Sequence, residues 1–268
     1  MDKETKGTLI LIGTVLAIFL ICTAAVFAYS GMNRPLTVVE SRSMQHSSDT
    51  SYIGVIDTGD MVIMKNPDNT PITTFVEGQQ TGYSKFGAYG DVIIYYREGK
   101  NPVIHRAILW LDYNESTDTW SAPSLKDSTI WHDSGSSDWN NLQGVITLKG
   151  LPNENGTTSD FIFSLSSLDS HKHSGYLTKG DNNSSFDVNM GLSDGLVEKS
   201  KIKAVAGMEI PWFGCLKLLL NNKNVSMIPK NSVPCLAVFF IDLIAFFAVA
   251  AIVSDHIRYL MFLKRNGE

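Results

Sequence analysis

The chain has 268 residues and a formal net charge of -5, so it lacks the basic surplus that nucleic-acid binding calls for, and no nucleic-acid partner is expected. Its three cysteines, Cys22, Cys215 and Cys235, lie in or beside apolar runs, which excludes a disulfide framework or a Cys-x-x-Cys zinc site in the polar middle. A membrane-attached chain with one domain of about 200 residues between its ends remains.

In chain order, 1–8 is a short tail and Leu9 to Tyr29 is an apolar run without a charge. As a helix the run is about 31 Å long, close to the hydrocarbon thickness of a bilayer. Val26-Phe27-Ala28 would suit leader cleavage, but the run exceeds the usual h-region, and Asp2, Lys3, Glu4 and Lys6 balance one another. The segment 9–29 is therefore read as a retained anchor.

A β-rich domain is expected over 30–214. Tyr52 to Ile56 predicts a strand, Asp57-Thr58-Gly59-Asp60 a turn, and Met61 to Lys65 a second strand. After a polar, Gly- and Thr-rich excursion, Val92 to Tyr96 predicts a strand, Arg97 to Pro102 a turn, and Val103 to Leu111 another strand. Asp60 and Asp91, each just before an apolar run, read as turn formers. These runs predict a mainly β fold, an antiparallel β-barrel or sandwich with an inserted small lobe, flanked by two transmembrane helices. The insertion is about 112–160, rich in Ser, Asp, Asn and Gly with Trp120, Trp131 and Trp139 scattered through it, and is expected to pack sparsely. His132 lies there, and His171-Lys172-His173 follows. With no carboxylate cluster at ligand spacing these read as solvated loops, and neither metal nor cofactor is expected.

Ile202 to Leu220 begins as a closing strand, and Trp212 and Phe213 then lead into a membrane-proximal segment, 215–232, suited to the headgroup region. Val233 to Val253 is a second span, followed by a tail, 254–268. Asp242 interrupts that span at a cost of roughly 2.5 kcal/mol or more if it faces lipid, so it is expected to face protein, to be protonated or to mark a shorter span. Lys3, Lys6, Arg258, Lys264 and Arg265 outside the spans match Arg34, Arg42, Lys217, Lys223 and Lys230 inside them, so the positive-inside rule does not set orientation. Sequons at Asn114, Asn155, Asn183 and Asn224 favour an outward-facing middle.

Three residue groups carry candidate chemistry: Ser41-Arg42-Ser43-Met44, His105-Arg106, and Gly180-Asp181-Asn182-Asn183 with Asp187. A serine hydroxyl attacks only when a base takes its proton, and a histidine with a pKa near 6.5 suits that task at neutral pH. An aspartate on the far ring nitrogen orients the imidazole, and each donor aimed at the oxyanion is worth roughly 10²–10³ in rate.

The ordered set Ser41-x-Ser43-Met44, Thr58-Gly59-Asp60, Tyr89-Gly90-Asp91-Val92, His105-Arg106, Lys179-Gly180-Asp181-Asn182-Asn183 with Asp187, and Ile210-Pro211-Trp212-Phe213-Gly214 resembles the type I signal peptidases. The likeness is to their archaeal and endoplasmic-reticulum branch, which uses histidine where the bacterial branch uses lysine, and it covers residues 38–214. It implies Ser43 as nucleophile, His105 as general base, Asp187 as the aspartate of a triad and Asp181 as its support. It also implies an oxyanion hole made by the Ser41 side chain and the Ser43 N–H. His46 stands where that family usually has proline. The implied activity is a membrane serine endopeptidase on the extracytoplasmic side of the cell membrane, cutting signal peptides from secretory precursors after small residues. Its implied partners are the lipid bilayer and the protein-export machinery. Two other functions fit the same residues: a non-catalytic membrane-anchored β-domain for binding or adhesion, and a dedicated protease for one class of surface precursors.

Overall fold

A computed structural model of the chain describes residues 3–97, 99–135 and 138–265. The ends of both expected tails, 1–2 and 266–268, lie outside the described residues, as do the side chains of Lys3, Glu4, Lys6, Arg258, Lys264 and Arg265.

Helix α1, Lys3–Ser30, is apolar on all sides from Leu9 onward and ends where the Ser30 carbonyl accepts the Asn66 N–H. Strands β1 (Leu36–Val38) and β2 (Met61–Lys65) follow. The expected strand at Tyr52 to Ile56 is a loop instead. The reason is topological: β2, the next strand along the chain, already pairs with β1 on one side and with the last strand of the domain on the other, so neither of its edges is free. Gly54 bends the loop at φ 103° and donates its N–H to the Glu209 carboxylate. Val55 and Ile56 then turn inward, while Tyr52 and Ile53 stay 56% and 72% exposed.

The turn before β2 is held from within. Asp60 accepts the Asp57 N–H at 2.7 Å on one oxygen and the Trp212 N–H at 2.8 Å on the other. Gly59, at φ 97°, leaves room for the Cys215 thiol, which a Cβ would meet at 2.5 Å.

The Gly- and Thr-rich excursion contains a helix, α2 (Phe75–Thr81), opened by a capping box between Thr74 and Glu77. A short hairpin, β3 (Ser84–Lys85) with β4 (Ala88–Tyr89), leads into β5 (Val92–Arg97) and the long β6 (Lys100–Asn114). Lys100 to Pro102 thus belongs to β6 rather than to the expected turn. Then come β7 (Thr119–Ser121), β8 (Trp131–Asp133), β9 (Val145–Asn153), β10 (Thr157–Ser164), β11 (Gly175–Lys179) and β12 (Ile202–Ile210). Two helices close the chain, α3 (Gly214–Leu220) and α4 (Ser232–Arg265).

The main sheet is seven-stranded and antiparallel, ordered β1-β2-β12-β5-β6-β11 with β7 on the far end of β6. It does not close into a barrel among the described residues. Register shifts interrupt the β12/β2, β12/β5, β5/β6 and β11/β6 pairs, and such bulges bend and twist a sheet. A second sheet, β10-β9-β8, carries most of the inserted lobe.

That lobe packs well, contrary to the expectation of a sparsely packed insertion. Trp120, Leu125, Leu142, Ile146, Leu148 and Phe163 are all buried in one cluster that continues into Leu109 and Phe186 of the main domain. Its polar composition belongs to the outward positions of strands whose alternate residues face in.

Helices α1 and α4 are each long and apolar enough to cross a membrane, and their most apolar windows are 0% and 6% buried by the rest of the chain. Asp242 is exposed on α4 and is not packed into the β-rich domain.

Burial pushes the Asp60 and Glu209 carboxyls up to about 7, against ordinary values of 3.8 and 4.5. The folded protein therefore keeps protons that the unfolded chain releases, so this stabilisation is complete below about pH 4 and is lost as pH rises through 7. In Glu209→Gln the decline in stability between about pH 4 and 7 should flatten, measured by denaturant unfolding across that range.

Candidate active site

Successive residues of a strand face opposite ways, and β6 uses this at His105 and Arg106. The His105 ring, 2% exposed, places Nδ1 2.7 Å from both carboxylate oxygens of Asp187. Asp187 is fully buried and also accepts the Tyr95 hydroxyl at 2.8 Å and the Thr178 hydroxyl at 2.6 Å. Burial works to raise its pKa, but the charge and hydrogen bond of His105, with the two hydroxyl donors, outweigh it and hold the carboxyl below its ordinary value. A carboxylate so fixed accepts the hydrogen bond of Nδ1–H, which leaves Nε2 as the acceptor.

Arg106 leaves the other face of β6 and is wholly buried. It grips Asp181 with two hydrogen bonds, 2.8 and 2.5 Å, and gives the rest of its N–H groups to the carbonyls of Lys85, Phe86, Ala88, Tyr89 and Gly90. Asp181 therefore meets the guanidinium and not the imidazole. Beside it the buried Lys179 ammonium donates to the Pro152 and Gly180 carbonyls, and desolvation brings its pKa down to about 8.

Ser43 lies in a 3₁₀ turn, Arg42–Met44. Met44 anchors the turn in a core of Val39, Ile56, Val62 and Phe86. The Ser43 carbonyl accepts the Asn182 N–H at 2.8 Å, and the Asn182 side chain donates to the Arg42 carbonyl at 3.0 Å. The Arg42 guanidinium reaches the Ser226 and Met227 carbonyls at 2.5 and 3.2 Å, and Thr58 donates to the Ser41 carbonyl at 2.9 Å.

The serine turn and the histidine strand meet across Gly180. A Cβ there would lie 2.5 Å from the Ser43 carbonyl oxygen and 2.9 Å from His105 Nε2, so only glycine permits the approach. Ser41, Ser43 and His105 line one cleft of about 660 Å³, with Val38, Ile94 and Ile104 among its apolar walls. The Ser43 hydroxyl lies 3.2 Å from the Ser41 hydroxyl, and among the described residues no hydrogen bond joins it to His105. Such contacts commonly tighten only when substrate is bound.

His46 does not enter that cleft. Its backbone N–H is held by Asp57 at 2.9 Å, and its ring lines a separate cavity of about 340 Å³ with Tyr89 and Asp181. Asp91 accepts from Tyr83 and from the Thr73 N–H, a structural tie like that of Asp60. His171 and His173 bond to Ser170 and to the Ser174 carbonyl, and no cluster of three metal-ligating side chains occurs among the described residues.

Four positions escaped the sequence reading. Tyr95 and Thr178 read only as strand residues, because nothing local marks a hydroxyl that reaches a carboxylate distant in sequence. Gly180 and Asn182 sat inside a noted motif, and a glycine between two lysine- and aspartate-bearing positions was the available signal for a close backbone approach. No family model matches the chain, and no curated protein matches it.

Gly180→Ala should force the Ser43 carbonyl and the imidazole apart. Were Ser43 and His105 reacting groups, a displacement of about 1 Å would lower rates on the order of 10²-fold, and labelling of Ser43 by a fluorophosphonate should fall accordingly. Labelling equal to that of the parent would show that the approach at Gly180 does not matter.

Proposed function

We propose that the protein is a membrane-bound serine endopeptidase that removes N-terminal signal peptides from exported precursors, the activity of the signal peptidases that its motifs resemble. One observation carries this reading: His105 is buried against Asp187 at 2.7 Å and lines the same cleft as Ser43.

In this reading Ser43 Oγ attacks the carbonyl after a small residue while His105 Nε2 takes its proton. The Ser41 hydroxyl and the Ser43 N–H stabilise the oxyanion. The imidazolium, stabilised by the ionised Asp187, returns the proton to the departing amine and leaves an acyl-enzyme. His105 then deprotonates a water that attacks the ester carbon, and its proton returns to Ser43 as the acid leaves. Asp181 acts through Arg106 by holding the turn that seats Gly180. The bent antiparallel sheet is read as the barrel or sandwich that the strand runs predict, on the extracytoplasmic side of a cell membrane crossed by α1 and α4. The signal peptide and the enzyme then share one bilayer, which raises their effective concentration, and the export machinery is the source of substrate. The bond from the Ser43 hydroxyl to Ser41 favours the alternative, an anchored β-domain without catalysis.

Incubating the detergent-solubilised protein with a precursor bearing an Ala-x-Ala site separates the two. Ser43→Ala and His105→Ala should each lower cleavage by about 10³-fold or more, and Asp187→Asn by up to about 10⁴-fold. Asp181→Asn should have the smaller effect. Equal cleavage by the parent and the Ser43 variant would overturn the proposal.

A further inference from the structure

Helix α3 packs against the first two turns of α4. Cys215 and Leu218 share a buried cluster with Leu236, and the Phe213 ring lies 5.4 and 5.9 Å from those of Phe239 and Phe240. Counted from Ser232, these contacts are about 6 and 11 Å along the axis of α4. If α4 crosses a membrane from its first turns, α3 is level with the upper part of the span. Its other faces are apolar and open, with Leu216, Leu219 and Leu220 exposed at 42%, 41% and 86%. Lys217 is turned the other way, to Glu40 at 2.9 Å beside Ser41, where Lys223 joins it at 2.6 Å.

A second apolar feature stands at the foot of α4. Asn231 exchanges two hydrogen bonds of 2.7 Å with the backbone of Ser51, and Lys230 pairs with Asp49. This clasp brings the exposed Tyr52 and Ile53 next to the residue that precedes α4.

We propose that α3 and the Tyr52–Ile53 tip form a lipid-facing rim, by which the domain sinks into the headgroup and upper acyl region of the bilayer that α4 crosses. The occupant is lipid because the rim continues the exposed apolar surface of α4, whose length and composition suit a bilayer span. An amphipathic helix whose apolar face lies about 5–10 Å into the headgroup and acyl boundary fits the level that the helix rise gives for α3. The lysines keep their charged ends at the polar boundary, as amphipathic stems do. The inference needs α4 to span a membrane and does not need catalysis.

Full-length protein in phospholipid nanodiscs, with Cys22→Ala and Cys235→Ala, can carry a spin label at Leu220→Cys, Ile53→Cys or, as a solvent reference, Thr117→Cys. Cys215 is buried and stays unlabelled. At positions 220 and 53 relaxation by oxygen should exceed that by a water-soluble nickel chelate, and position 117 should show the reverse. Leu220 and Ile53 labels that behave like the one at Thr117 would overturn the proposal, and so would labels shielded from both reagents, since a protein would then cover the rim. An independent readout pairs Ile53→Asp with Leu220→Asp. Cleavage of a bilayer-embedded precursor should fall about tenfold while that of a soluble peptide is unchanged, and equal loss on both would also count against the rim. Absence of any cleavage by the parent would sink the protease reading alone, leaving the labels to decide this one.

Discussion

A guanidinium taken out of water must find acceptors for five N–H groups, and Arg106 finds them around one turn of the fold. Two go to Asp181 and the others to the carbonyls between Lys85 and Gly90. The arginine thereby joins β6, the hairpin that precedes β5 and the turn that follows β11. Because His105 is its neighbour on the strand, whatever fixes Arg106 also fixes the register of the imidazole. Because Asp181 follows Gly180, the same pair sets how closely the chain passes between Ser43 and His105. Losing either partner would strand the other charge in the interior, an error costing about 3–5 kcal/mol.

The carboxylates around this frame are sorted by what donates to them. Asp60 is buried and Glu209 half-buried, each with few donors, and their acidity weakens toward neutrality. Asp187 is more deeply buried still, yet three side chains donate to it and it stays ionised. Desolvation alone would have made all three alike. The difference lies in Tyr95, Thr178 and His105, and it gives the imidazole a permanent anion to face.

How much of this was legible in the sequence follows from the range of the forces involved. Strands β2, β5, β6 and β12 were readable because their β-branched runs are bounded by turn residues. Tyr52 to Ile56 has the same local pattern and forms no strand, since the ladder it would join is occupied, and that is not a local fact. Helix α2 was signalled by Thr74 and Glu77 and overlooked. The lobe was misjudged from composition, when its alternate Trp, Leu, Ile and Phe residues held the relevant pattern. Ser43, His105 and Asp187 were picked out by order along the chain, whereas the hydroxyls that support Asp187 come from strands that meet only after folding.

Arg42 is bound to the carbonyls of Ser226 and Met227, and Asn224 donates to the carbonyl of Glu40. The wall behind the serine turn is thus the stretch between the last two helices. Trimming the chain after α3 to obtain a soluble fragment would strip that wall and leave Arg42 without its acceptors. The Arg42 side chain thus ties the turn that carries Ser43 to a stretch more than 180 residues further along the chain.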